Sequence, residues 1–210
     1  FVNSVELTDG GDVRVSFRLP TFWCAPNFAF LMAQRRAGHF GRFWNTTEES
    51  LRGMSSPSTA IGSLWSPGYY LLRAQGKDLL YADPVEGSRG WHAGNSISAA
   101  AEGETLDMAY AYLNWWLDGV PGAIMARRGY YISVAGPLRD TLSPAEWAYW
   151  YAGERMEMDL PGADGVMVAF RGEARAGGSY RDRMGRIAVW STIMPENNYL
   201  IRRWREFIVP

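Results

Sequence analysis

The chain has 210 residues, 47% of them hydrophobic and 20% charged, a composition typical of a globular protein with a substantial core. Its formal net charge of -1 provides no basic field for nucleic acid or an anionic membrane, since both need clustered lysine and arginine. A single cysteine, Cys24, excludes a disulfide framework and a thiolate metal site, and no apolar run approaches the roughly 20 residues that cross a bilayer.

Capping residues and short apolar runs predict the elements of the first half of the chain. The clearest signal is the capping box formed by Thr46 and Glu49. First-turn prolines and glycine stops indicate the other helices, and apolar runs between turn residues indicate strands. In order, the predicted elements are a helix over 26–37, a helix ending at Gly53, a strand over 59–65, a helix from Ser66-Pro67 to Gly76, and strands over 78–82 and 95–98.

The second half carries the strongest helical pattern, over residues 104–117, where apolar side chains fall on one helical face. A second capping box, Ser143 with Glu146, opens a later helix. The alternation of helices and strands favours an α/β fold. The other predicted elements are a helix over 121–128, an extended segment over 130–134, a helix over 143–150, a connecting excursion over 156–176, and helices over 179–190 and 195–207.

Aromatic residues are unusually frequent, with Trp 10, Tyr 11 and Phe 9. Tryptophan and tyrosine suit cores and ligand pockets alike, so core packing and ligand binding both remain open for each ring. Together with Asp83 and Glu86, rings at the ends of elements could stack on an organic ligand or face a cation. These rings belong to Trp44, Trp65, Tyr69, Trp91, Tyr130 and Tyr131.

Catalytic and metal chemistry finds little support in the sequence. Neither His39 nor His92 has the spacing of a metal site, so we expect no metal and no cofactor. A small hydrolase using Ser96 or Ser98 with His92 is a third, weaker hypothesis, because the segment lacks the second glycine of a nucleophile elbow.

From about Phe40 onward the chain resembles the extracellular solute-binding proteins of family 1, spermidine/putrescine type. The order and spacing of several short segments carry this resemblance more than any one of them does. The segments are GRFW (41–44), LWSP (64–67), LRAQG (72–76), PVEG (84–87) with Trp91 downstream, YLNWWL (112–117), GYYISV (129–134), and IAVW (187–190) through YLIRRW (199–204).

The resemblance implies an α/β fold of the periplasmic binding protein-like type II, containing the second lobe and part of the first, with the N-terminal part missing. Residues 1–94 would be a second-lobe segment, with 1–27 unassigned. Residues 95–142 would belong to the first lobe and crossover, and 143–210 would return to the second lobe. Such receptors close by hinge motion on a small molecule, perform no chemistry, and deliver it to the membrane permease of an ABC transporter.

The resemblance also implies binding residues. Trp65, Trp91 and Tyr130 match ring positions that sandwich the ligand, and Glu86, Asp83 and Trp44 are further candidates for ligand contact. Family members that hold polyamines carry an aspartate just after the Trp91 position, where this chain has His92. An unpaired ammonium in a closed site is costly, so the expected ligand is a small polar or cationic solute that need not be a polyamine.

The family implies an exported, periplasmic protein whose signal peptide is absent from this chain. Because the family is longer, the alternative is a truncated half-receptor that acts as an interaction module without binding a ligand. In such a fragment the apolar surface on Tyr110, Leu113 and Trp116 would lack the first-lobe segment that covers it in the family. Such a fragment would repack or form a domain-swapped homodimer.

Overall fold

The computed structural model describes residues 2–7, 13–17, 24–130, 135–162, 164–190 and 197–209, which form a mixture of helices and strands. Contacts divide the chain into two compact units. Unit 1 comprises Phe1–Ser63, Asp83–Trp91 and Arg186–Pro210, and unit 2 comprises Leu64–Ala82 and His92–Gly185.

The helices are α1 (Cys24–Arg36), α2 (Thr47–Met54), α3 (Ser66–Ala74), α4 (Gly103–Leu117), α5 (Val120–Arg127), α6 (Gly136–Thr141), α7 (Pro144–Trp147), α8 (Tyr180–Gly185) and α9 (Asn197–Ile208). A π-helical turn, Ala148–Ala152, continues α7. The strands are β1 (Val2–Leu7), β2 (Val13–Phe17), β3 (Ser88–Gly90), β4 (Leu160–Pro161), β5 (Met167–Ala169) and β6 (Ile187–Trp190).

Unit 1 contains an antiparallel pair, β1 with β2, and a parallel pair, β3 with β6. Its core lies where α1 and α9 meet, and it is built from Phe28, Leu31 and Phe207. The guanidinium of Arg35, in α1, lies 6.0 Å from the centre of the Phe207 ring, in α9, and donates a hydrogen bond to the Val209 carbonyl. Aromatic and cation–π contacts therefore hold the two helices together.

Unit 2 holds the larger core, which collects side chains from α5 to β5. Trp150, in the π-helical turn, is its largest fully buried side chain. The β4–β5 antiparallel pair covers one part of this core. The buried members are Ala123, Ala126, Leu138, Leu142, Tyr149, Trp150, Tyr151, Met156, Leu160, Val168 and Ala169.

The two predicted capping boxes are confirmed. The Thr46 hydroxyl accepts from the Glu49 backbone N–H, and the Glu49 carboxylate accepts from the Thr46 N–H. Ser143 and Glu146 form the same reciprocal pair at the start of α7. The predicted helices over 26–37, 104–117 and 121–128 are also confirmed to within two residues of their observed ends.

Several strand predictions are wrong. Residues 59–65, 78–82 and 95–98 are irregular, since within the described residues no strand pairs with their backbone. The predicted helix over 179–190 ends at Gly185, because the following β-branched and aromatic residues pair with β3 as β6. Of the predicted extended segment 130–134, residues 131–134 lie outside the described residues.

The predicted segments 1–94, 95–142 and 143–210 differ from the two units, whose chain crossings follow Ser63, Ala82, Trp91 and Gly185. The crossing after Trp91 comes near the predicted boundary at 94/95. The described residues contain both helices and strands, and the α/β class stays a prediction. The periplasmic binding protein-like type II fold stays a prediction.

Candidate functional site

Four of the six predicted binding residues lie in unit 1. Trp44 donates its indole N–H to the Ser63 hydroxyl at 2.9 Å. The segment around β3 contains the other three: Asp83 and Glu86 precede the strand, and Trp91 follows it directly. The side chain of Trp91 is 53% exposed, so its ring is accessible within its unit.

Asp83 is held by an arginine. Its carboxylate accepts a hydrogen bond from Arg186 at 2.5 Å, and the same guanidinium donates to the Pro84 carbonyl at 2.8 Å. The Ser88 N–H in turn donates to the Arg186 carbonyl at 3.0 Å. Asp83 therefore joins this segment to the start of β6, and pairing with a ligand cation would compete with that ion pair.

The other two predicted residues, Trp65 and Tyr130, lie in unit 2 on segments that pack together. Trp65 is the extended residue that precedes α3, and its carbonyl accepts from the Gly68 N–H at 2.8 Å. Tyr130 follows Gly129, which ends α5 with a φ of 88°.

The close approach of these segments depends on Gly129. A Cβ at that position would lie 2.7 Å from the Tyr70 ring and 3.5 Å from the Pro67 nitrogen. Only glycine combines this backbone conformation with such a short distance to α3. Two rings separated by more than sixty residues in the sequence, Trp65 and Tyr130, thus flank one contact between backbone segments.

Tyrosines from α3 and the π-helical turn surround this contact. We name Tyr69, Tyr70, Tyr81, Tyr149 and Arg175 the α3 cluster. The Tyr69 ring lies 5.1 Å from both the Tyr70 and Tyr81 rings, edge to face in each case. The Tyr149 hydroxyl donates to the Tyr70 hydroxyl at 3.3 Å. A phenol-rich cluster of this kind combines ring faces with hydrogen-bonding hydroxyls.

Arg175 places a cation inside the α3 cluster. The residue is only 6% exposed, its guanidinium lies 4.6 Å from the centre of the Trp150 ring, and it donates to the Gly129 carbonyl at 3.3 Å. Burial lowers the pKa of Arg175, while the neighbouring tyrosines act in the opposite direction. Arg175 thus fixes the backbone that carries Tyr130.

A second arginine extends the cluster toward solvent. The Arg73 guanidinium lies 5.6 Å from the centre of the Tyr69 ring and 5.7 Å from that of Phe170, and it pairs with the Glu173 carboxylate at 2.7 Å. Burial by itself would lower the pKa of Arg73, but its contacts with Glu173 and Tyr69 raise it overall. Arg73 is therefore fully protonated at neutral pH.

Tyr69 and Tyr149 remain neutral at physiological pH. Burial raises the pKa of Tyr69 and, more strongly, that of Tyr149. Neutral phenols donate and accept hydrogen bonds but do not act as bases near pH 7. The arrangement of rings, hydroxyls and guanidinium groups is suited to recognition of a solute.

Sequence reasoning missed Arg73, Arg175 and Tyr149. Arg175 stands in a stretch rich in glycine, proline and aspartate, which predicted a connecting excursion. Its contact with Gly129 spans 46 positions, and the Arg73–Glu173 pair spans 100. The available signal was the run of aromatics at 149–151, which indicates a buried ring cluster that could attract a cation.

The hydrolase hypothesis involves an irregular, exposed segment. His92, Ser96 and Ser98 lie in residues 91–98, which form no strand-to-helix turn within the described chain. The Ser98 hydroxyl accepts from the Ala100 N–H at 3.2 Å and so serves a local turn.

Among the described residues, histidine, cysteine and carboxylate side chains form no group of three that could hold a metal ion. None of the described helices has the length and apolar character needed to span a bilayer. Comparison with known proteins finds no match, whether among family models, curated proteins or solved structures.

Proposed function

We propose that this chain is the solute-binding component of an ABC importer and that it binds a small organic solute without transforming it. The observation that carries the proposal is the close contact at Gly129 with α3, which the predicted ring residues Trp65 and Tyr130 flank. Rings from separate segments beside hydrogen-bonding phenols are the usual composition of a small-molecule site.

The charge distribution favours a solute other than a polyamine. Asp83 is engaged by Arg186, and Glu173 by Arg73, so an ammonium group would have to displace an arginine from either carboxylate. The rings and hydroxyls of the α3 cluster instead favour a polar solute with a flat or apolar part and hydrogen-bonding groups.

Tryptophan fluorescence tests the proposal. Putrescine, spermidine, amino acids and small organic acids are titrated into the protein, and a saturable change in emission identifies a ligand. Trp65→Ala and Tyr130→Ala should each weaken its binding at least tenfold, whereas Trp65→Phe should retain most of the affinity because a ring remains. Trp115→Phe, on α4, is the matched control and should bind as the wild type does.

The second candidate function is an interaction module that binds no solute. The exposure of α4 favours it: no residue of this fifteen-residue helix is buried, although it carries Tyr110, Tyr112, Trp115 and Trp116. Exposed apolar surface of this extent marks interaction sites in globular proteins. A protein that gives no fluorescence response to any solute class but associates through α4 would support this candidate.

A further inference from the structure

The apolar surface of α4 is wider than a single neighbouring helix can cover. Leu106, Leu113 and Trp116 lie on the side that is half-buried, and α5 packs against this helix. A second set of apolar residues, Met108, Tyr112 and Trp115, recurs at positions i, i+4 and i+7 and so occupies an adjacent strip of the helix surface.

We name this strip the aromatic flank of α4. Its residues are strongly exposed, Met108 at 65%, Tyr112 at 51% and Trp115 at 46%. The Tyr112 and Trp115 rings stack on each other with centres 6.1 Å apart. Large stacked rings on a helix surface are typical of protein contacts.

One edge of the aromatic flank is acidic. Glu104 and Asp107 follow that edge at helical spacing and are exposed, and residues 102–118 contain no lysine or arginine. The surface thus combines stacked rings with negative charge, and its partner should present apolar side chains beside positive charge.

Helix α9 of the same chain has that complementary character. Ile201 is 42% exposed and Trp204 is 48% exposed, and they form a short apolar stripe that continues from the buried Phe207, whose ring lies 5.3 Å from that of Trp204. Arg202 and Arg205 lie along one side of this stripe, next to Ile201, and are exposed. The third arginine of the helix, Arg203, is paired with Glu206 along the helix and adds little net charge.

From this match we infer that α4 binds α9 of a second copy of the chain. In a two-fold dimer the contact occurs twice, because each copy supplies one acidic and one basic helix. Stacked rings from both helices would supply the buried centre, and the carboxylates and guanidinium groups would set the register. The inference does not depend on solute binding, and it gives the interaction-module candidate a defined surface.

Charge exchange provides the test, with light scattering after size-exclusion chromatography as the readout. Glu104→Lys with Asp107→Lys makes α4 basic in one variant chain, and Arg202→Glu with Arg205→Glu makes α9 acidic in another. We expect the wild type to have twice the mass of one chain. Each variant alone should dissociate at least ten times more readily, since its own α4 and α9 carry like charges.

Mixing the two variants should restore a one-to-one dimer, because both contacts are then between opposite charges. Arg171→Glu with Arg181→Glu, two exposed arginines outside α4 and α9, is the matched control and should remain dimeric. Circular dichroism verifies that each variant is folded. If a variant is unfolded, the salt dependence of the wild type still tests the inference. Raising the salt from about 50 mM to about 500 mM should weaken the wild-type dimer.

Three results would overturn the inference. The first is a wild type that is monomeric at tens of micromolar, and the second is a dimer that neither charge reversal nor salt weakens. The third is that mixing fails to restore the dimer while one chain carrying all four substitutions regains wild-type stability, since the two helices would then meet within one chain. None of these results bears on solute binding, which fluorescence measures separately.

Discussion

The guanidinium of Arg175 lies over the ring of Trp150, 4.6 Å from its centre, in the interior of unit 2. The same group donates to the Gly129 carbonyl, so one buried cation connects the π-helical turn to the backbone before Tyr130. A π-helical turn is rare and often occurs at functional sites. Here it directs three consecutive rings, Tyr149, Trp150 and Tyr151, into the core.

Replacement of Arg175 should separate the cost of its cavity from that of its charge. Arg175→Ala leaves a cavity and an unpaired carbonyl, and we expect the free energy of unfolding to fall by about 3 kcal/mol. Arg175→Met refills the space without a buried charge, so its loss should be smaller, about 1 kcal/mol. Urea unfolding measures both.

Arg171→Ala is the control for this series, because Arg171 is exposed, and its cost should stay within about 0.5 kcal/mol. Equal losses for Arg175→Ala and Arg171→Ala would contradict the structural role assigned to Arg175.

Gly129 should tolerate no side chain. A Cβ would lie 2.7 Å from the Tyr70 ring at a φ of 88°, so we expect Gly129→Ala to destabilise the protein by about 3 kcal/mol. Gly76→Ala is the matched control, because Gly76 has a φ of 78° and open space around its Cβ position. That substitution should cost only about 1 kcal/mol.

Thermal or urea unfolding of the two glycine variants isolates the contribution of close packing from that of backbone strain. If they lose the same stability, the contact between Gly129 and α3 is absent in solution, and the argument that brings Trp65 and Tyr130 together fails with it.

Glu146 should make the stability of unit 2 sensitive to acid. Its carboxylate pairs with Arg127 at 2.5 Å and accepts from the Ser143 N–H. Burial by itself would raise the pKa of Glu146, but the hydrogen bonds from Arg127 and Ser143 lower it overall. A carboxyl whose pKa is lower when folded stabilises the protein above its unfolded pKa, and this contribution is lost as the pH falls through the folded value.

The free energy of unfolding should therefore decline as the pH drops below the ordinary glutamate value of 4.5. Glu146→Gln keeps the size of the side chain but cannot ionise, so the variant should be less stable at pH 7 and should show a shallower decline in acid. Glu157→Gln, at an exposed position, should follow the wild-type curve. Identical acid profiles for wild type and Glu146→Gln would refute this role.

Asp83 should behave as a structural residue. Its ion pair with Arg186 is about 40% exposed on each side, so Asp83→Asn should cost about 0.5 kcal/mol and leave solute affinity unchanged. Calorimetric titration with a solute that passes the fluorescence screen measures the affinity. A tenfold loss in Asp83→Asn would instead make Asp83 a ligand-binding residue, as the sequence suggested.

The features that could be predicted from the sequence are local ones. Capping boxes such as Ser143 with Glu146 act over three residues, so the residue types and their spacing are enough to predict them. Pro67 correctly indicated the start of α3, although the N-cap residue, Trp65, provides no side-chain hydrogen bond to the helix. Helix α4 was recognised by its periodicity, but periodicity could not reveal that no residue of this helix is buried.

The strand predictions failed because a strand needs a second strand to pair with, and the local sequence does not identify that second strand. Residues 59–65 have a suitable composition but pair with no strand in the part of the chain that the structure describes, whereas Ile187–Trp190 pairs with Ser88–Gly90 almost one hundred positions earlier. The same reason explains the missed members of the α3 cluster. Arg175 reaches Gly129 and Arg73 reaches Glu173 through contacts that only the folded chain defines.

The most direct measurement is the fluorescence titration of the wild type beside a Trp65→Ala/Tyr130→Ala variant of confirmed fold. We expect at least one organic acid or other polar solute to give a saturable change at submillimolar concentration in the wild type and none in the variant. Absence of any response across all solute classes, or an undiminished response in the variant, would contradict solute recognition by these two rings.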